Sequence, residues 1–172
     1  ALPISKADSL FAEVDSCYNQ FRKRASLSSS SLSIVSELKS GSAWYVPGGC
    51  STIGRLFNDA CGRYAFAGDK HSGSIPLAFE TVFDKAGDAD VWTIKYNRDR
   101  DMTYSDLKAD YIGYTGFKAF KTRNIYGCNT AKVPFYEETP FRPDYLLSDL
   151  IQILHPEIGD LGGLRYFCKL NE

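Results

Sequence analysis

Nucleophilic chemistry, if this chain carried it, would sit in Gly49-Cys50-Ser51-Thr52-Ile53-Gly54. At a turn from strand to helix, Ser51 or Cys50 would stand where the elbow of an α/β hydrolase holds its nucleophile. The elbow requires G-x-S-x-G, and Ile53 occupies the place of the last glycine. Its general base would have to be His71 or His155, and neither lies in a recognisable partner context. A structural turn is therefore the better reading. The same turn resembles an anion cradle at a helix amino end, but the Walker lysine and the dinucleotide glycine spacing are both missing. Two separated histidines do not make a nitrogen-rich metal site. Asn97-Arg98-Asp99-Arg100-Asp101 alternates charge without the glycine and terminal glutamate of a calcium loop, and reads as a solvated, self-paired loop. The five cysteines form no C-x-x-C pair, which removes zinc-knuckle and thioredoxin chemistry. An oxidising compartment would allow two disulfides with one thiol over, and free buried thiols are as good a reading. No catalytic residue and no metal ligand is assigned.

The aromatic residues carry more information. Trp44 and Tyr45 follow a first strand, Tyr96 a second, and Phe135 and Tyr136 a third. Rings at three strand ends would offer stiff, flat contact area to a ligand on one rim. Arg98 and Arg142, with Asn129 and Lys132, would add charge and hydrogen bonds for carboxylates on that ligand. The competing reading, rings that close the core, holds for each of them. The pocket reading leads for Trp44, Tyr45 and Tyr136.

The elements that must position these residues follow from hydrophobic period. Between Ser5 and Arg24, Leu10, Phe11, Val14, Cys17, Tyr18 and Phe21 recur at three- and four-residue steps, predicting an amphipathic helix. The serine run from Ser26 to Ser31 ends it as a loop. Strands are expected over 32–38, 89–94 and 125–128, with a short extended piece at 43–46. Ser51 suits the N-cap of a helix with Ile53, Leu56, Phe57 and Ala60 inward. Pro76 would open another helix with Phe79, Val82, Phe83 and Ala86 inward and Glu80 facing water. Short helical turns fall at 104–107 and 117–120, a long aromatic loop at 129–143. Leu146 to Leu154 is a last apolar helix stopped by His155-Pro156.

Strands alternating with helices predict an α/β, three-layer α/β/α lobe with a mostly parallel central sheet. One unit is expected over 1–172: the helix to 25, a core over 32–155 and a tail over 156–172. In such sheets ligands lie beyond the carboxyl ends of the strands, which places the functional loops after Leu38, Ile94 and Cys128. Twenty basic against 21 acidic residues leave no positive surplus for a nucleic-acid backbone, so no such partner is expected. No apolar run approaches the ~20 residues that span a bilayer, and Ala1-Leu2-Pro3-Ile4 is too short for a signal peptide.

Several blocks in fixed order resemble a known family. They are Trp44-Tyr45-Val46-Pro47-Gly48-Gly49, Leu56-Phe57-Asn58-Asp59-Ala60, Leu77-Ala78-Phe79-Glu80-Thr81-Val82-Phe83, Ala89-Asp90-Val91-Trp92, Phe117-Lys118-Ala119-Phe120, and Arg142-Pro143-Asp144-Tyr145-Leu146-Leu147-Ser148-Asp149. Together they look like the C-terminal half of the iron-chelate and cobalamin class of ABC-transporter substrate-binding proteins, of Bacteroides type. The resemblance implies a type III periplasmic-binding-protein-like C-terminal lobe whose N-terminal lobe and spanning helix are missing from this chain. It implies a protein that is not an enzyme, periplasmic or extracellular and lipid-anchored at full length, delivering a ferric siderophore, haem or a corrinoid to an ABC permease in the membrane. No resident cofactor is implied. In that class a glutamate on each lobe docks onto the permease, and Glu80 is the matching position. The alternatives are a small α/β hydrolase with a Ser51 or Cys50 nucleophile, and a protein-interaction lobe without a small ligand.

Overall fold

The computed structural model describes residues 2–159 and 161–172; Ala1 and Asp160 lie outside them. A long helix α1 (Leu2–Ser26) leads into β1 (Ser33–Ser36), and a compact antiparallel excursion follows: β2 (Lys39–Ser40) and β3 (Ala43–Pro47). Then come α2 (Thr52–Asp59), β4 (Arg63–Tyr64), β5 (Ser74–Leu77), α3 (Phe79–Ala86) and β6 (Val91–Tyr96). The second half adds α4 (Tyr104–Asp110), a 3₁₀ turn (Ile112–Gly116), α5 (Lys118–Lys121), β7 (Ile125–Asn129), α6 (Phe135–Glu138), α7 (Pro143–Leu154) and β8 (Cys168–Lys169).

The main sheet runs β4-β1-β6-β7-β8, parallel throughout except for β8. Both faces are covered, as expected of a parallel sheet. Along β6 the side chains alternate: Trp92 packs against Tyr114 and Phe117 on one face, while Thr93 and Lys95 meet Phe57 of α2 and Leu146 and Leu150 of α7 on the other. A second small sheet, β2-β3-β5, is antiparallel.

The expected strands and the alternating α/β order are present. Some expectations need correction, among them Phe83, which is exposed on α3, and the loop over 129–143, which contains α6. Pro76 does not open a helix; it lies in β5, opposite Tyr45, and α3 starts at Phe79 after Ala78. An edge strand tolerates proline because one of its sides needs no ladder N–H. The stripe on α1 is buried only in part: Val14 is enclosed, yet Leu10 and Phe11 are exposed because α7, the helix it packs on, meets the later turns. Finally, the segment after 155 is no loose tail. Asp149 of α7 accepts N–H bonds from Arg165, Tyr166 and Phe167 (2.8, 2.8 and 3.2 Å), which brings β8 onto the sheet edge beside β7. Leu170 is buried behind it.

Candidate functional site: a tyrosine-walled cleft at the strand ends

Two buried tryptophans shape the end of β1. The indole Nε1–H of Trp44 donates to the Ser36 carbonyl (2.9 Å), and that of Trp92 donates to the Glu37 carbonyl (2.9 Å). Their rings stack with centroids 5.7 Å apart. The Glu37 N–H is taken by the Thr93 carbonyl (2.9 Å). Held at both amide and carbonyl, Glu37 adopts the left-handed region (φ 72°), which a side chain enters only at a cost. The consequence is directional: its carboxylate forms an ion pair with Lys95 of β6, each side chain about one-fifth exposed. Lys95 also lies over the Phe135 ring, 5.4 Å from the centroid, a cation–π contact.

This pair forms the floor of an open cleft of about 450 Å³. Tyr45 and Tyr136 wall it, 49% and 63% exposed. The remaining lining includes Ser51, Thr52 and Ile53 from the start of α2, and Ser72 to Ser74 where β5 begins. The wall is seated by close backbone approach. A Cβ on Gly48 would lie 2.3 Å from the His71 carbonyl oxygen, and one on Gly49 2.3 Å from that of Ala67, so only glycine fits.

The arrangement is suited to holding a solute. The Ser51 hydroxyl donates to the Gly48 carbonyl (2.6 Å) and accepts the Gly54 N–H (3.0 Å), so it is committed to capping α2 and has no base. His71 is exposed and bound to Asp69; His155 is fully buried, its Nε2–H donating to the Ala60 carbonyl (2.7 Å). Among the described residues, no group of three or more metal-ligating side chains converges. Burial pushes the Cys128 thiol up to about 12, which makes it unreactive.

Of the residues expected on the rim, Tyr45 and Tyr136 do come together in the cleft, and the others do not line it. Trp44 is a core residue, 0% exposed, because neighbours along a strand point to opposite faces: if Tyr45 is out, Trp44 is in. Tyr96 shares the inward face of β6 with Trp92, and its hydroxyl accepts the Met102 N–H (3.1 Å). Phe135 is buried against Tyr166 and supports the site from behind, under Lys95 and edge-to-face with Tyr136. Arg98 pairs with Asp110 (2.7 Å). Arg142 is bidentate on Asp144 (3.0 and 2.7 Å) and stacked on Tyr145, with no donor pair aimed at the cleft. Asn129 bonds the 98–101 loop and Lys132 pairs with Asp101, both away from the cleft. Glu37 and Lys95 are not among the residues that the sequence marks, although Lys95 directly follows Ile94, a strand end after which a functional loop is expected.

Glu80 is exposed in the first turn of α3, beside a shelf of about 620 Å³ lined by Phe79, Phe83, Asp84 and Lys121.

The sequence pattern of the periplasmic binding protein family matches residues 4–131, most of the chain. The chain belongs to the periplasmic binding protein family. The family and fold are those of proteins that bind solutes without catalysing a reaction. An uncharacterized lipoprotein of Methanocaldococcus jannaschii is similar in sequence, 31% identical over 128 residues, 74% of this chain and 30% of that protein. In fold, the chain is similar to S. aureus IsdE complexed with haem (TM-score 0.68, 17% identity, 88% of this chain and 58% of that one). It is also similar to the TroA-like periplasmic binding protein FepB of Veillonella parvula (TM-score 0.66, 14% identity, 93% of this chain and 56% of that one). The chain thus spans 30% of the curated relative and little more than half of these structures.

Proposed function

We propose that this chain is the C-terminal lobe of an extracytoplasmic, lipid-anchored solute-binding protein that passes a bulky metal chelate to an ABC importer. The observation that carries the reading is the cleft itself: it opens beyond the carboxyl ends of β1 and β6, where α/β sheets bind ligands, and two exposed tyrosine rings wall it. Family membership supports a solute-binding role, and the fold is shared with a protein whose structure was solved with haem. A flat chelate would stack on Tyr45 and Tyr136, with a second lobe closing over it. The exposed Leu10 and Phe11 on α1 are suited to packing against that lobe. Glu80, on the far-reaching shelf of α3, would meet basic residues of the permease.

Haem, cobalamin and a ferric siderophore are titrated into the full-length protein, following tryptophan fluorescence. Trp92 reports the cleft because its indole holds the Glu37 carbonyl on the floor. Saturable quenching by one chelate is expected, weakened about tenfold or less by Tyr45→Ala or Tyr136→Ala, the scale of an aromatic contact. Quenching by none of them sinks the ligand class. Glu80→Ala is expected to leave binding unchanged and to reduce chelate uptake in cells.

A further inference from the structure

We infer that Lys95 is the anchor for an acidic group on the solute, a carboxylate, and that Glu37 is the internal placeholder this group displaces. The inference rests on reading the tyrosine-walled cleft as the solute site. Its floor holds one ion pair, Glu37–Lys95, with both side chains about one-fifth exposed. Pairing two charges that have lost much of their water gains little net free energy, so exchanging one carboxylate for another is close to neutral. The two partners differ in how tightly they are held. Lys95 lies inside β6, paired with Cys128 of β7, and its ammonium is held over the Phe135 ring. Glu37 lies past the end of β1; its backbone is clamped by Trp92 and Thr93, but its side chain lines the open cleft, and rotation of that side chain alone would free Lys95. A cationic solute would instead have to dislodge the better-held lysine. The start of α2 also lines the cleft and carries no acidic residue in its first turn, so its partial positive charge favours an incoming anion over an incoming cation. With Glu37 turned aside, the ammonium meets a solute carboxylate in the desolvated geometry where charge-assisted hydrogen bonds are strongest.

The test separates this anchor from the chelate reading. Metal-free citrate, a tricarboxylate, is titrated into the full chain at constant ionic strength, following backbone amide shifts by NMR. Saturable shifts at Glu37, Lys95 and Thr52 are expected. Glu37→Gln, which removes the competing charge, is expected to tighten citrate about tenfold, the scale of one hydrogen bond to a charged group; Lys95→Met is expected to weaken it by a similar factor. A gain in affinity cannot come from misfolding, so Glu37→Gln keeps the test sound if Lys95→Met unfolds. Absence of shifts at these residues, or no tightening in Glu37→Gln, overturns the anchor. In a second arm haem is compared with haem dimethyl ester, which lacks the two free carboxylates. The wild-type chain is expected to prefer the diacid about tenfold and Lys95→Met to lose that preference. Equal binding of diacid and ester overturns the anchor and leaves the chelate reading standing. Citrate shifts without binding of any chelate overturn the chelate reading and leave the anchor standing.

Discussion

At the scale of single residues, the site depends on two indoles that never touch solvent. Trp44 and Trp92 each spend their only polar group on a carbonyl at the end of β1. Without those bonds the Ser36 carbonyl would be left unpaired in the core, and the left-handed turn at Glu37 would lose its restraint. Trp92→Phe keeps the aromatic packing and removes the donor. It is expected to lower stability by about 1 kcal/mol in urea unfolding, the net contribution of one partly buried hydrogen bond. The amide signal of Lys95 should shift as well, because the Glu37 carboxylate is no longer aimed at it. A variant that unfolds at the wild-type midpoint contradicts this account.

At the scale of elements, the turn that resembled a catalytic elbow is a helix start. Ser51 accepts the Gly54 N–H and donates to Gly48, which satisfies one orphan donor of α2 and locks the glycine turn that seats the cleft wall. Ser51→Ala is expected to cost about 1 kcal/mol, and Ser51→Gly only a few tenths. That ordering in denaturant midpoints marks a cap. Covalent labelling of Ser51 by a fluorophosphonate would instead revive the nucleophile.

At the scale of the whole molecule, Asp90 ties together the end of the sheet opposite the cleft. It accepts the N–H and hydroxyl of Ser33 in β1 (both 2.8 Å) and the Lys118 ammonium of α5 (2.5 Å), and it pairs with Arg63 of β4 (3.4 Å). Partial burial alone would raise its pKa, but the bonds from Lys118 and Ser33 outweigh burial and hold it at about 2. Its unfolded value is near the ordinary ~3.9, so the ionised form favours the fold. The stabilisation is complete above that value and is lost as pH falls through about 2. Asp90→Asn should therefore be less stable than wild type at pH 7, with the difference shrinking as the pH of thermal unfolding is lowered towards 2. A difference that stays constant with pH argues against Asp90 as the tie.

The sequence by itself determined the α/β order, the three inner strands and the edge where a ligand would lie, because hydrophobic period and turn residues act locally. Ordered family blocks added the lobe. It also marked Tyr45 and Tyr136 as rim candidates, on the same grounds as the buried Trp44, Tyr96 and Phe135. The tertiary structure decided which rings point out. Trp44 beside Tyr45, and Tyr96 beside Lys95, are adjacent in sequence but fall on opposite faces, a register set by pairing with Leu77 of β5 and with Asn129 of β7. Glu37 and Lys95 lie 58 positions apart and meet only because β1 and β6 run side by side. An ion pair between neighbouring strands leaves no local pattern, so only the folded sheet could reveal it.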